Sequence, residues 1–305
     1  MRTAIIAHPA CRKHKMIVDH PECPERLDAI QDRLVASGVD VTIAHKLAPK
    51  ATLAHIGLAH SEQHIAHILA TLPQAGLADL DGDTWLCPES FLAIERAVGA
   101  GILAVDEILA GQLDAAFCAI RPPGHHANKD SSSGFCVVNN LAIAVKYAQT
   151  FGIKRIAILD IDVHHGNGTQ DIFIDDESVL FCSLFQHPFY PNTAVESNNH
   201  IINSPMSAGQ GAVQLKELVT QQWLPKLTDF NPELIFISAG FDAHLEDDMG
   251  GLGFVEADYV WFTEQVIALA KLCQSKGIIS MLEGGYDLSS LGRSVTEHLR
   301  AFAHA

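Results

Sequence analysis

The 305 residues carry 36 acidic against 20 basic side chains, a formal net charge of −16 with histidine neutral, and 48% of them are hydrophobic. Such a field repels phosphate, which excludes nucleic acid and anionic membrane surfaces as main partners, while the apolar share excludes intrinsic disorder. No apolar run reaches membrane-spanning length, and the stretch Met1 to Ala10 is too short for a secretory signal.

In chain order, a β-branched run at residues 3–7 predicts the first strand, followed by a helix over 24–36 and a strand over 41–44. Helices over 61–72 and 88–110 come next, the second marked by Pro88 at its start and Gly111 at its end. A strand at 115–120 and a helix at 139–150 precede strands at 156–161 and 179–184. The series closes with helix 212–227, strand 234–238, helix 256–275, strand 278–282 and helix 288–302. This alternation is the pattern of βαβ units, so an α/β fold with a mostly parallel central sheet and helices on both faces is expected, as one domain over residues 1–305.

Four segments, 8–23, 121–138, 185–211 and 240–255, are long, polar and rich in Gly, Pro, Asn and Asp. Each follows a predicted strand, on the rim where open parallel sheets bind ligands. Seven dispersed cysteines without a C-x-x-C pair argue against a disulfide framework and a thiolate metal cluster, which fits a reduced, cytoplasmic setting.

Chemistry concentrates in "LDIDVHHGNGT", residues 159–169. Asp160, Asp162 and His164 alternate, so an extended backbone points them to one side, where two acids repel unless a cation lies between them. Asp162 and His164, with Asp242 from "SAGFDAH", make two carboxylates and an imidazole with an open position, the donor set of a catalytic zinc site. Taken singly, each of these residues reads more simply as a turn or cap residue; together they do not. "RPPGHHAN" places His125 and His126 on a rigid turn, suited to moving a proton beside a metal. "LEGGY" presents Tyr286 as a hydrogen-bond donor to a developing oxyanion, and Phe135 beside Gly134 suits the wall of a narrow entrance.

Together, "HPECPERL", "RPPGHHA", "GFCVVNN", "DIDVHHGNGTQDIF", "SAGFDAH" and "EGGYD" resemble the histone deacetylase superfamily across nearly the whole chain. The resemblance implies the arginase-deacetylase fold, with the active site at the C-terminal ends of the strands. It implies one zinc per chain on Asp162, His164 and Asp242, with His126 as general base and then acid, His125 held by Asp160, and Tyr286 polarising the acyl carbonyl. It further implies Phe135 and Tyr190 as tunnel walls, Gly134 as acceptor for the substrate amide, Asp83 gripping the substrate backbone, and Arg26 lining a product channel. Potassium is implied at Asp160, Asp162, His164, Ser183 and Leu184, and a second monovalent ion at Phe173, Asp176 and Val179.

Asn167 stands where one branch of that superfamily has an aspartate, which places the chain in the class II branch and leaves His126 more readily neutral. Met249 stands where a polyamine-specific relative has a glutamate, whereas Glu246, Asp247 and Asp248 remain able to attract a cationic amine. Phe185 and the segment 192–197 depart from the family's pattern at the entrance rim. The expected activity is zinc-dependent hydrolysis of an N-acylated amine, first an acyl-lysine side chain, with an acetylpolyamine amidohydrolase as alternative. The expected partner is a peptide or small-molecule acyl-amine, with homo-oligomerisation left open. A binuclear manganese ureohydrolase needs a D-x-H-x-D run, and Gly166 interrupts it; a non-catalytic acyl-binding module would lack a ligand or the tyrosine.

Overall fold

The computed structural model describes residues 1–193 and 196–305. The strands, in chain order, are β1 (Thr3–Ala7), β2 (Ala44–Leu47), β3 (Ala78–Asp79), β4 (Trp85–Leu86) and β5 (Ala115–Ala119). They continue with β6 (Ile156–Asp160), β7 (Val179–Gln186), β8 (Ile201–Met206), β9 (Leu234–Ala239) and β10 (Ile278–Leu282). β3 and β4 form a small antiparallel pair, and the others make one eight-stranded sheet in the order β2-β1-β5-β10-β9-β6-β7-β8. Every neighbouring pair in it is parallel.

The central strands read as near-continuous apolar runs (AAFCA, IAILD, LIFISA, IISML), broken only by Asp160, Ser238 and Ser280, and are buried throughout, as a sheet covered on both faces requires. Each fully buried Ile, Leu or Phe there contributes about 1.5–3 kcal/mol. Adjacent residues of β10 identify the two layers. Ser280 Oγ meets His298 Nε2 of helix Leu288–Ala303 at 2.9 Å on one face. Met281 lies on the other face, under Gly101 of helix Ser90–Leu109, where an added Cβ would come within 3.1 Å of its Cε. Helices Glu25–Ser37 and Glu256–Leu272 flank Leu288–Ala303 in the first layer, and Asn140–Thr150 packs against Ser90–Leu109 in the second.

Several boundaries differ from the sequence reading. The strand expected at 41–44 lies at β2, because Asp40–Thr42 winds into a 3-10 turn closed by Thr42 Oγ1 donating to Val39 O at 2.7 Å. The helix expected from Pro88 begins at Ser90, whose hydroxyl accepts the Cys87 N–H at 2.8 Å and holds Cys87 to Glu89 in a turn; Gly111, at φ 66°, does follow its end. The segment 185–211 is not all loop, since it contains β8, whose IINSPM sequence hides the strand behind Asn203, Ser204 and Pro205. The helix expected over 212–227 runs on to Phe230 through a π-helical turn, Val219–Trp223. A short helix, Asn167–Phe173, directly follows the histidine-rich run.

Candidate active site

Strands β5, β10, β9 and β6 are adjacent in the sheet, and their C-terminal ends share one rim. β5 leads to His125 and His126, β10 to the run Glu283–Tyr286, β9 to Asp242, and β6 to Asp160, Asp162 and His164. Residues separated by more than 150 positions in sequence thus become neighbours, Gly124 N donating to Glu283 Oε2 at 2.7 Å.

The strand ends at Asp160, so pleat alternation does not align Asp162 and His164 as the sequence suggested. Two successive side-chain turns do so instead: Asp160 Oδ1 accepts the Asp162 N–H at 3.1 Å, and Asp162 Oδ1 accepts the His164 N–H at 2.9 Å. Asp162, His164 and Asp242 are all buried, and one ligand atom from each lies within 4.8 Å of the others. His164 Nδ1 is 3.0 Å from Asp162 Oδ1 and 3.3 Å from Asp242 Oδ2. Burial and then the neighbouring Asp162 charge push the Asp242 carboxyl up to about 7; burial opposes a charge on His164, but the adjacent Asp162 and Asp242 carboxylates outweigh it and raise this imidazole to about 10. Asp242 Oδ2 finds no hydrogen-bond donor among the described residues. Gly284 keeps this space open, since a Cβ there would collide with that oxygen and come within 2.7 Å of Asp162 Oδ2. Two repelling buried carboxylates, one of them with an unsatisfied oxygen, and one imidazole fit a divalent cation.

The His125 and His126 rings lie 4.0 Å apart between centres, tilted by 42°. His125 Nδ1 donates to Asp160 Oδ2 at 3.0 Å; burial opposes a charge on this ring, but Asp162 and Asp160 outweigh it and raise its pKa well above the ordinary value. His126 is driven well below its ordinary value by burial and by the positive charge of His125 and His164. Its Nδ1–H donates to Asn167 Oδ1 at 2.7 Å, which fixes the tautomer and leaves Nε2 as the free lone pair.

Tyr286 stands just before Asp287, whose side chain caps helix Leu288–Ala303. Its backbone N–H donates to Asp247 Oδ2 at 2.6 Å, and the Arg26 guanidinium lies 4.9 Å from its ring centre. Arg26 is fully buried, donating to Gly285 O at 2.6 Å and Glu283 O at 2.5 Å. These two bonds hold the turn that carries Tyr286, and a cavity of about 530 Å³ nearby is walled by Glu22, Cys23 and Glu25.

A cavity of about 270 Å³ reaches from solvent to these groups, lined by Asp83, His126, Gly134, Phe135, His164, Phe189, Tyr190, Asp248, Met249 and Tyr286. Gly134 and Phe135 adopt φ of 53° and 67° between the paired Ser133 and Cys136, a tight turn with positive φ at both central positions. A Cβ on Gly134 would collide with the His126 ring. Phe189 lies parallel to His164 at 5.4 Å, and Tyr190 meets His126 edge-on at 5.1 Å. Of the three acids at 246–248, Glu246 is paired with Arg293 at 2.7 Å and buried Asp247 holds backbone N–H groups, so Asp248 alone faces the cavity.

Ser183 pairs in register with Asp160 beneath the site, and its buried hydroxyl has no partner among the described residues. Leu184 follows it in β7, fully buried. At the second expected ion position, Asp176 already accepts Lys146 Nζ at 2.7 Å, and that ammonium lies 4.8 Å over the Phe173 ring; Val179 begins β7. His165 bonds Thr193, Gln170 and Asn203, each at 3.0 Å, and is a packed structural residue. Phe189 and Glu283 sit at the site although the sequence reading assigned them nothing there, and Asp247, read as able to attract an amine, instead accepts the backbone N–H groups of Tyr286 and Asp287. Each lies inside a quoted motif or beside an assigned residue, the only signal available.

A family profile described as histone deacetylase domain matches residues 20–302. An uncharacterised protein of Synechocystis sp. is 36% identical over 305 aligned positions, covering 97% of this chain and 98% of its own length. The polyamine deacetylase HDAC10 of Mus musculus is 34% identical over 97% of this chain, which spans 47% of that longer protein. Histone deacetylase 14, chloroplastic, of Arabidopsis thaliana is 34% identical, with 92% of this chain and 72% of its own covered. Among solved structures, the HDA15 HD domain superposes with a TM-score of 0.93 at 34% identity, over 99% of this chain and 88% of that one. The rim geometry, the profile and this superposition agree: the chain belongs to the histone deacetylase family.

Proposed function

We propose that the protein is a zinc-dependent amidohydrolase, one deacetylase domain over residues 1–305, that removes acetyl or other acyl groups from N-acylated amines, first of all acyl-lysine side chains. The observation that carries this reading is the cavity lined together by His126, Tyr286 and His164, the last belonging to the buried Asp162–His164–Asp242 set. Zinc held by those three residues would act as a Lewis acid on the acyl carbonyl and on the attacking water. His126 Nε2, its tautomer set by Asn167, takes the proton of that water and returns it to the departing amine nitrogen. His125, fixed by Asp160, supplies positive charge near the developing oxyanion, and Tyr286 donates a hydrogen bond to it. Phe135 and Tyr190, with Phe189, pack the substrate's methylene chain, the Gly134 carbonyl accepts its amide N–H, and Asp83 at the mouth takes its backbone. Potassium at Asp160, Asp162, His164, Ser183 and Leu184 is supported by the unpartnered Ser183 hydroxyl; the pairing of Asp176 with Lys146 speaks against the second ion.

An acetylpolyamine reading is favoured by one observation, the two carboxylates Asp83 and Asp248 at the cavity mouth, where a distal ammonium would sit; Met249 between cavity and loop adds no charge. Turnover of purified zinc-loaded protein on acetyl-lysine peptides, acetylputrescine and acetylspermidine separates the two. Absence of hydrolysis of all of them from pH 6 to 9 rejects both. Tyr286→Phe is expected to lower kcat about 100-fold or more with zinc content unchanged, by loss of an oxyanion donor. Two manganese ions per chain on metal analysis would point to the ureohydrolase reading instead. The free state of all seven cysteines supports a reducing, cytoplasmic compartment.

A further inference from the structure

Glu283 has no part in the chemistry proposed above, yet it is 1% exposed at the end of β10, in the middle of the site. Its Oε2 accepts the backbone N–H groups of Gly124 at 2.7 Å and His125 at 3.1 Å, and its Oε1 accepts the Ser238 hydroxyl of β9 at 3.2 Å. One carboxyl group thus joins the turn that carries both histidines to two strands of the sheet.

The residues after it extend the same bracket. Gly284 N donates to Asp162 Oδ2 at 2.8 Å, Arg26 clamps the carbonyls of Glu283 and Gly285, and Tyr286 N is held by Asp247. On its far side the histidine turn rests against helix Asn140–Thr150: Asn140 Nδ2 donates to Pro122 O at 3.0 Å, and a Cβ on Gly124 would come within 2.7 Å of Asn140 N. The short helix after the metal-ligand segment holds the turn from a third direction, Gly168 and Thr169 donating to His125 O at 3.0 and 3.1 Å. Only Glu283, of these contacts, ties the turn to the strand that delivers Tyr286.

We propose that Glu283 is a positioning residue: its carboxyl group tethers the His125–His126 turn to β10 and sets the spacing between the base, the phenol and the metal-ligand set. The tether depends on reach and on an acceptor oxygen, not on charge. A glutamine amide offers the same oxygen to the two N–H groups and an N–H to Ser238, whereas an aspartate keeps the charge but ends one methylene short.

The kinetic half of the test rests on the deacetylase reading; the exchange half does not. Hydrogen exchange at the amides of residues 124–127, kcat, KM, zinc content and melting temperature are compared for the natural protein, Glu283→Gln and Glu283→Asp. Glu283→Gln is expected to keep exchange protection and kcat within about threefold of the natural protein. Glu283→Asp is expected to lose protection about tenfold or more and kcat by about 30- to 100-fold, with KM within threefold and zinc content unchanged, since an ångström of misplacement costs about that much. Natural protection in Glu283→Asp, or a loss in Glu283→Gln as deep as in Glu283→Asp, overturns the tether. If the natural protein hydrolyses no acyl-amine, the deacetylase reading fails while the exchange comparison still decides the tether.

Discussion

Asn167 governs His126 through one hydrogen bond of 2.7 Å, and the sign of its effect is accessible to experiment. In Asn167→Asp, a carboxylate facing the Nδ1–H favours the imidazolium and raises the His126 pKa. A base must be neutral to act, so the acid limb of kcat/KM is expected to move to higher pH. An unmoved limb in the pH–rate profile removes Asn167 from this role. Gly134 is constrained twice, by φ of 53° and by the His126 ring that a Cβ would strike. Gly134→Ala is expected to lower kcat/KM about 100-fold or more while zinc content stays full; activity within threefold of the natural protein would show that the turn yields without moving the base. At this scale the sequence was legible wherever the chemistry names its own residue types. His126, His164, Asp162, Asp242 and Tyr286 could be singled out because few other side chains do such work. Glu283 could not, and Asp247 was read for its charge rather than for the backbone it holds, because a carboxylate that binds backbone N–H groups looks in sequence like any other acid.

Helix Ser90–Leu109 is buried along most of its length, and Gly99 leaves room for the 49–51 segment, a Cβ there colliding with Pro49 O. Gly99→Ala gains helix propensity of about 1 kcal/mol but must displace backbone. The expected balance is a net loss of about 1–3 kcal/mol in urea unfolding, with the catalytic constants unchanged; a net gain would mean that the 49–51 segment moves away freely. The elements themselves were legible in proportion to their burial. β1 and β10 lie where the sequence placed them, because a strand covered on both faces reads as a near-continuous apolar run. β2 and β8, at the two edges of the sheet, were misplaced or missed. An edge strand takes its extent from its partner's register, Ala4 opposite Ala44 and Phe181 opposite Ile201, rather than from its own composition.

The whole molecule is held near the site by a buried ionic cluster that no local pattern announces. Glu22 accepts both Nε and Nη2 of Arg121 and lies 3.2 Å from Arg26 Nη1, all fully buried. Burial opposes its charge, but Arg121 outweighs it and brings the carboxyl down to about 2, below its ordinary value of 4.5. A depressed folded pKa contributes stability that is complete above pH 4.5 and is lost as pH falls toward 2. Glu22→Gln is expected to lower stability by about 3–5 kcal/mol at pH 7, since it strands Arg121 without a counter-charge. The gap between natural and variant proteins in denaturant melts should narrow from pH 5 to pH 3; a constant gap would mean that the carboxylate is not the group being protonated. The sequence by itself determined the α/β class, the rim on which function sits and the residue types of the chemistry, because hydrophobic period and side-chain reactivity are local properties. The tertiary structure alone decided which strand ends are neighbours. The order β5-β10-β9-β6 brings His126, Tyr286, Asp242 and Asp162 together, and it arises from crossovers that pack helices on both faces, an arrangement that no single segment encodes.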